Sequence, residues 1–152
     1  MGAGPRTNPA AWDWVPATEM LTEPECWRRV ARAELGRIAF LTDDAIRVYP
    51  VAYATRDQRV YLRTSPYSEL ALQRDGRVTF EVEEVDSATR SGWTVLLTGS
   101  LAAVADPYEI ASVWTASSVR PWADGWREHT LRLTPESVSG VVVHGTPTTQ
   151  ER

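Results

Sequence analysis

The chain has 152 residues, 43% of them hydrophobic, enough for one domain of ordinary size with a real core. Its net charge of −4 excludes the broad basic surface that a nucleic-acid binder needs. All 16 basic residues are arginine, which excludes Schiff-base chemistry and any lysine contact to a phosphate.

Residues 1 to 20 are rich in Pro, Gly, Ala and Asn, show no hydrophobic period and lack the continuous apolar core of a secretory signal. They read as an N-terminal tail in which Trp12 and Trp14 can fold back onto the domain or onto a partner. No run of 18 apolar residues occurs, so a membrane helix is not expected and the chain reads as cytoplasmic. Thr22 followed by Glu25 forms a capping box, and Cys26, Val30 and Ala33 then recur at helical spacing up to Gly36. Cys26 is the single cysteine, so no internal disulfide can form; it reads as a small apolar packing residue.

"RIAFLT" (37–42) and "AIRVYPVAYAT" (45–55) are strands joined through Asp43 and Asp44. A second turn at Asp57 and Gln58 leads into "RVYLR", with Val60 and Leu62 on one face and Tyr61 on the other. Pro50 cannot donate to a strand ladder and marks an edge or a bulge. In "RTSPYSELALQ" (63–73) a strand ends and a short helix begins, with Ser65 as N-cap and Pro66 as first helical residue. "RVTFEVEEV" then alternates cleanly, Val78, Phe80 and Val82 inward and Thr79, Glu81 and Glu83 outward.

"SGWTVLLTGSLAAVA" (91–105) is a long strand that Gly99 is expected to bend. Asp106, Pro107 and Glu109 open a third helix, "PYEIASVWTAS", and "EHTLRLTPESVSGVVV" supplies the last strands. Six or seven strands, three short helices and hairpin connections describe a mainly β protein built as a small antiparallel barrel. His129 and His144 are the only histidines and fall in no metal-ligand spacing, so no metal site is expected.

In order and spacing, "LGRIAF", "YPVAY", "VYLRT", "VTFEVEEVD", "SGWTVLLTG" and "LRLTPESVSG" resemble the single-domain pyridoxamine 5′-phosphate oxidase-like proteins, the FMN-binding split-barrel family. The resemblance implies a six-stranded antiparallel split β-barrel over residues 21–145, flanked by about three short helices and by tails at 1–20 and 146–152. It also implies a homodimer with FMN or a deazaflavin cofactor in a groove between the subunits; other proteins of this fold bind heme.

The groove's phosphate end falls on the 63–73 stretch. A helix N-terminus favours anions, an arginine can grip a phosphate through two bonds, and hydroxyls can donate to its oxygens. The resemblance thus implies Arg63, Thr64, Ser65 and Ser68 as phosphate ligands. The plain alternative is that Ser65 only caps the helix and Arg63 pairs with a surface carboxylate.

Glu69 keeps that alternative open, because the flavin binders of the family commonly carry a lysine there, directed at the phosphate. A carboxylate in the first turn of a helix is favourable by about 0.3–1 kcal/mol without any ligand. Two like charges ~5 Å apart repel by roughly 3 kcal/mol at an effective dielectric of 20, enough to weaken binding about a hundredfold.

Elsewhere on the groove the resemblance points to Val51, Ala52 and Tyr53 as backbone along the flavin ring, with a plain barrel wall as the alternative. Trp93 reads as barrel packing. Trp114, Pro121, Trp122 and Trp126 suit a dimer interface or the cover of a flat conjugated ligand. Arg127 is the candidate cation offered across the dimer.

The family chemistry is hydride transfer, in which the cofactor supplies the reactive atom and the protein orients and shields it. Tyr53, Tyr61, Glu69 and His129 are the proton-transfer candidates near the inferred groove. The expected function is a flavin- or deazaflavin-dependent oxidoreductase acting on a small conjugated molecule. The alternative is a cofactor-free barrel that binds a small metabolite or converts it by cyclisation, elimination or isomerisation. A further alternative is heme binding with His129 or His144 as axial ligand.

Overall fold

Alternation of apolar and polar side chains builds most of this molecule. The computed structural model describes residues 18–73, 76–117 and 128–145. Their elements in chain order are β1 (Thr18–Met20), α1 (Glu23–Val30), β2 (Leu35–Leu41), β3 (Ile46–Arg56), β4 (Arg59–Thr64), α2 (Glu69–Leu72), β5 (Arg77–Asp86), β6 (Ser91–Ala103), α3 (Pro107–Ala116) and β7 (His129–Val143). The sheet runs β1-β7-β4-β3-β2-β5-β6, every pairing is antiparallel, and a β6–β7 pairing closes it into a six-stranded barrel with β1 as an additional strand.

Local chemistry explains the turns and caps. Asp57 and Gln58 adopt φ of 49° and 56°, the left-handed pair that lets a two-residue loop match the twist of its strands; Arg56 and Arg59 pair directly across it. At the start of α1, the Glu25 carboxylate accepts from the Thr22 amide (2.7 Å) and from its hydroxyl (2.8 Å), and those bonds hold the Glu25 pKa below its usual value.

Three expectations are corrected in detail. The end of the expected tail, Thr18–Met20, pairs with Val141–Val143, so the domain begins before residue 21. The C-terminal "strands" are one strand of 15 residues, because a bulge rather than a turn absorbs Pro135. Opposite that bulge lies Gly99, where a Cβ would sit 2.1 Å from the Thr134 carbonyl oxygen and 2.7 Å from the Pro135 Cα. The backbones can approach only because that side chain is missing. The third correction is α2, which starts at Glu69 with Ser68 as N-cap. Ser65 and Pro66 instead form a turn that closes through Ser68 N–H to Ser65 C=O (3.1 Å).

The barrel is filled rather than hollow. Ile38, Phe40, Leu62, Val82, Val95, Leu97 and Leu133 are buried together, each fully buried aliphatic or aromatic side chain stabilising the fold by about 1.5–3 kcal/mol. Val78, Phe80 and Val82 point into this core as the alternation requires. Cys26 and Val30 from α1 and Leu70 from α2 join it. A second, smaller core lies under α3, where Ala54, Tyr61, Val104 and Val113 pack with Ile110 and Trp114.

Candidate functional site

The site begins where two strands part. β3 and β4 pair from Arg56↔Arg59 only as far as Tyr53↔Leu62. Beyond that point Arg63 and Thr64 pair with Thr130 and His129 of β7, whereas the first half of β3 pairs with β2 alone. Among the described residues, 46–52 therefore present one backbone edge with no strand beside it, and Glu69 at the start of α2 reaches this segment. Pro50 sits in that half-paired segment, in unbroken register with Arg37, so it marks an edge and not a bulge.

Across this split runs a side-chain bridge. The Tyr49 hydroxyl donates a short hydrogen bond to Glu69 Oε2, and Arg47 Nε lies 3.5 Å from the same oxygen. Arg47 also reaches Asp44 Oδ1 at 3.4 Å. Arg47 and Tyr49 pair with Phe40 and Ile38, two buried core residues, so the pleat sets both on the barrel's inner face at its open end. Tyr49 is fixed further by an edge-on contact with Phe40, ring centroids 5.6 Å apart. The hydrogen bond to Glu69 pushes the Tyr49 phenol pKa up, and the Thr42 hydroxyl followed by Arg47 holds the Asp44 pKa down.

Two of the expected phosphate ligands, Thr64 and Ser68, meet next to Glu69 in the chain, and Ser65 lies in the same turn. The Thr64 hydroxyl donates to Ser68 Oγ (2.8 Å), which also accepts from the Ala71 amide (3.1 Å). Ser65 Oγ accepts from the Tyr67 amide at 3.3 Å. In these bonds each serine oxygen accepts, so its own hydroxyl hydrogen is not used in them.

Arg63 does not converge with them. Strand alternation turns it to the α3 face, where its guanidinium lies 4.1 Å from the centre of the Trp114 ring. Among the described residues no carboxylate pairs with it.

Tyr53 is likewise displaced from the expected role as a side chain. It is buried in the core, donates its hydroxyl to the Val30 carbonyl and packs edge-on against Phe80 at 5.0 Å, and burial raises its pKa. Its amide is already bonded to Glu34 C=O. A hollow of about 400 Å³ that Tyr53 helps to line, with Arg32, Glu34, Arg56 and Val113, lies between the end of α1 and α3, away from the split. Val51 is half-buried against the core within the half-paired segment.

Trp93 packs against the barrel core under the Arg29 guanidinium, and Trp114 donates from its indole to Thr130 Oγ1. Trp122, Arg127, Pro121 and Trp126 lie outside the described residues, as do Trp12 and Trp14. Of the proton-transfer candidates, Tyr61 donates to Glu109 beneath α3. His129 is half-buried at the start of β7 and His144 follows its end, bonded to Glu19 at 3.1 Å. Among the described residues no cluster of His, Cys, Asp or Glu could hold a metal, and no helix is long and apolar enough to cross a membrane.

Sequence reasoning missed Arg47 and Tyr49. Their i, i+2 spacing on an edge strand was visible, but their partnership with Glu69 appears only once the strand register is known.

Around the split, β3 and the 65–69 segment carry two serine hydroxyls, one guanidinium and one carboxylate. The outer face of the same strands is apolar, with Leu41, Ile46 and Val48 each more than half exposed.

The family model for pyridoxamine 5′-phosphate oxidase matches residues 22–147. Uncharacterized protein Rv0080 of Mycobacterium tuberculosis is 26% identical over 127 residues, which span 80% of this chain and 82% of that protein. Among solved structures, the FAD binding protein from Mycobacterium smegmatis superposes with a TM-score of 0.72 at 24% identity, covering 84% of this chain and 100% of that one. The FAD-binding protein mll6688 from Mesorhizobium loti gives 0.67 at 23% identity, covering 82% and 96%. These likenesses establish the split-barrel fold. The matched span runs from the Thr22 cap to just beyond β7, and the chain belongs to the pyridoxamine 5′-phosphate oxidase family.

Proposed function

We propose that the chain is a homodimeric flavin-binding oxidoreductase acting on a small conjugated molecule, with the split between β3 and β4 as its cofactor groove. The observation that carries this reading is the backbone edge of residues 46–52, which no strand covers among the described residues, linked through Tyr49 and Arg47 to Glu69, the residue after Ser68. An unpaired edge offers amide and carbonyl groups to the polar rim of a flat ring system, and the serines offer donors to a phosphate. The FAD-binding relatives of the same fold are consistent with this assignment.

A bound flavin would supply the hydride chemistry. The chain's own residues would bind and orient it: Ser65, Ser68 and Arg47 at the phosphate end, and the strand edge with Val51 along the ring. The exposed Leu41, Ile46 and Val48 form a face suited to a second copy of the chain, which would complete the groove from its other side.

The test is to add FMN, FAD, a deazaflavin cofactor and hemin to the purified protein and record visible spectra alongside the mass in solution. Flavin bands retained on a dimer support the reading. Uptake of hemin alone would move the assignment to heme, with His129, the less committed histidine, as candidate ligand. Uptake of none would favour the cofactor-free barrel, which the carboxylate of Glu69 at the phosphate end supports.

A further inference from the structure

We propose that the hollow between the end of α1 and α3 is a second binding site, for a small zwitterionic molecule carrying an amide, a dipeptide being the simplest. The site is separate from the split, and the inference does not rest on the flavin reading.

The hollow lies where β2 runs out. β2 pairs with β3 only from Leu35↔Ala52 onward, and one further bond, from the Tyr53 amide to the Glu34 carbonyl (3.2 Å), ends the contact. Backbone groups along a strand point alternately to its two sides, so the Thr55 amide and carbonyl point the way those of Tyr53 do, away from β4. Among the described residues no strand stands on that side of Thr55, which lines the hollow instead. One residue of open strand edge offers a donor and an acceptor side by side, the complement of an amide group.

Charge on the rim is mixed. Arg32, Glu34 and Arg56 line the hollow and are exposed. Among the described residues, Arg32 and Glu34 make no ion pair, either with each other or elsewhere. Arg56 meets its neighbour Asp57 at 3.5 Å and stands directly across the hairpin from Arg59. Like charges in that position are destabilising, and an anion beside Arg56 offsets them.

The order along β3 gives the ligand its polarity. Glu34 lies opposite Tyr53, the open edge is at Thr55, and Arg56 follows, so an acid, an amide partner and a base succeed one another. An ammonium, a peptide group and a carboxylate match them in turn, with Arg32 as a second guanidinium on the rim. Below the rim, Tyr53, Ala54 and Val113 are buried and give the hollow an apolar floor that suits small aliphatic side chains. Its volume of about 400 Å³ falls within the roughly 300–1,000 Å³ of small-molecule sites.

The experiment titrates alanyl-alanine, its N-acetylated form and its C-terminal amide into the isotope-labelled full chain and follows the backbone amide resonances. Alanyl-alanine should give saturable shifts centred on Thr55, Arg56 and Ser112, with the Thr55 amide proton moving downfield as it gains a partner. Each blocked form should bind more weakly by roughly threefold or more, the size of one partly exposed ion pair. Glu34→Gln should erase only the preference for the free amino end, and Arg32→Gln combined with Arg56→Gln only the preference for the free carboxylate. All three positions are exposed, so the variants keep the core intact, and the blocked forms test the same point on the unaltered chain. Equal binding of free and blocked forms, shifts centred elsewhere, preferences that survive the substitutions, or no saturation overturns the site. None of these outcomes bears on flavin binding at the split.

Discussion

The guanidinium of Arg63 lies 4.1 Å from the centre of the Trp114 ring, which ties the end of β4 to α3 rather than to the split. The contact is a cation on an aromatic face with Trp114 itself anchored to Thr130, and such pairs contribute about 0.5–2 kcal/mol. Arg63→Ala and Trp114→Ala should therefore couple in a double-mutant cycle by about 0.5–2 kcal/mol in denaturant unfolding. Arg63→Ala should also leave flavin affinity within about threefold, under 1 kcal/mol. A hundredfold loss of flavin would return Arg63 to the phosphate.

Tyr53 sits in the core with its hydroxyl on the Val30 carbonyl. Tyr53→Phe removes that donor and leaves the carbonyl in need of a partner, a loss of about 1–3 kcal/mol. Chemical denaturation should show that loss while flavin spectra stay unchanged, because the ring faces the interior and not the groove.

At Gly99 an added methyl would meet the Thr134 carbonyl oxygen at 2.1 Å. Backbone cannot give way as a flexible side chain can. Gly99→Ala is expected to cost about 3 kcal/mol, the upper end for overpacking, by forcing β6 and β7 apart at the bulge. A thermal midpoint within 2–3 degrees of wild type, about what a fraction of a kcal/mol produces in a chain of this size, would show that the two strands can spread there.

Glu109 accepts from Arg132 (2.6 Å) and from the Tyr61 hydroxyl (2.8 Å), and these bonds hold its pKa below the ordinary 4.5. A carboxylate depressed on folding adds stability that is complete above its unfolded pKa and disappears as pH falls through the folded one. The midpoint of unfolding should thus drop on acidification below about pH 4.5, and Glu109→Gln should flatten that limb of the curve while lowering stability at neutral pH. An unchanged acid limb would place the sensitivity in other carboxylates.

On the outer face of β2 and β3, Ile46 and Val48 are 69% and 54% exposed. If a second copy covers them, Val48→Asp should convert dimer to monomer in light scattering and weaken flavin binding with it. A dimer that survives the substitution would move the interface elsewhere.

Much of the fold was legible because its signals are local. Val78, Phe80 and Val82 alternate with Thr79, Glu81 and Glu83, and burial follows that pattern; the tight turn at Asp57 and Gln58 needed two residues tolerant of positive φ. The start of α2 was misread because Ser65-Pro66 fits a turn as well as a helix N-terminus, while Ser68 is the serine that the Thr64 hydroxyl and the Ala71 amide reach. Grouping Arg63 with Thr64 followed nearness in the chain, whereas the pleat sends neighbouring side chains to opposite faces. The partners of Glu69 lie 20 and 22 positions away, on strand β3, and no local pattern records such a pairing.

β7, the last of the described elements, is flanked by β1, β4 and β6. During synthesis the emerging polypeptide cannot seal the cylinder until this ribbon has left the ribosome, and until then the edges of β4 and β6 that it covers stand open to solvent. Closure depends on contacts of long sequence separation, which form slowly. Interrupted translation shortly before His129 would release a species with two adhesive rims, prone to self-association.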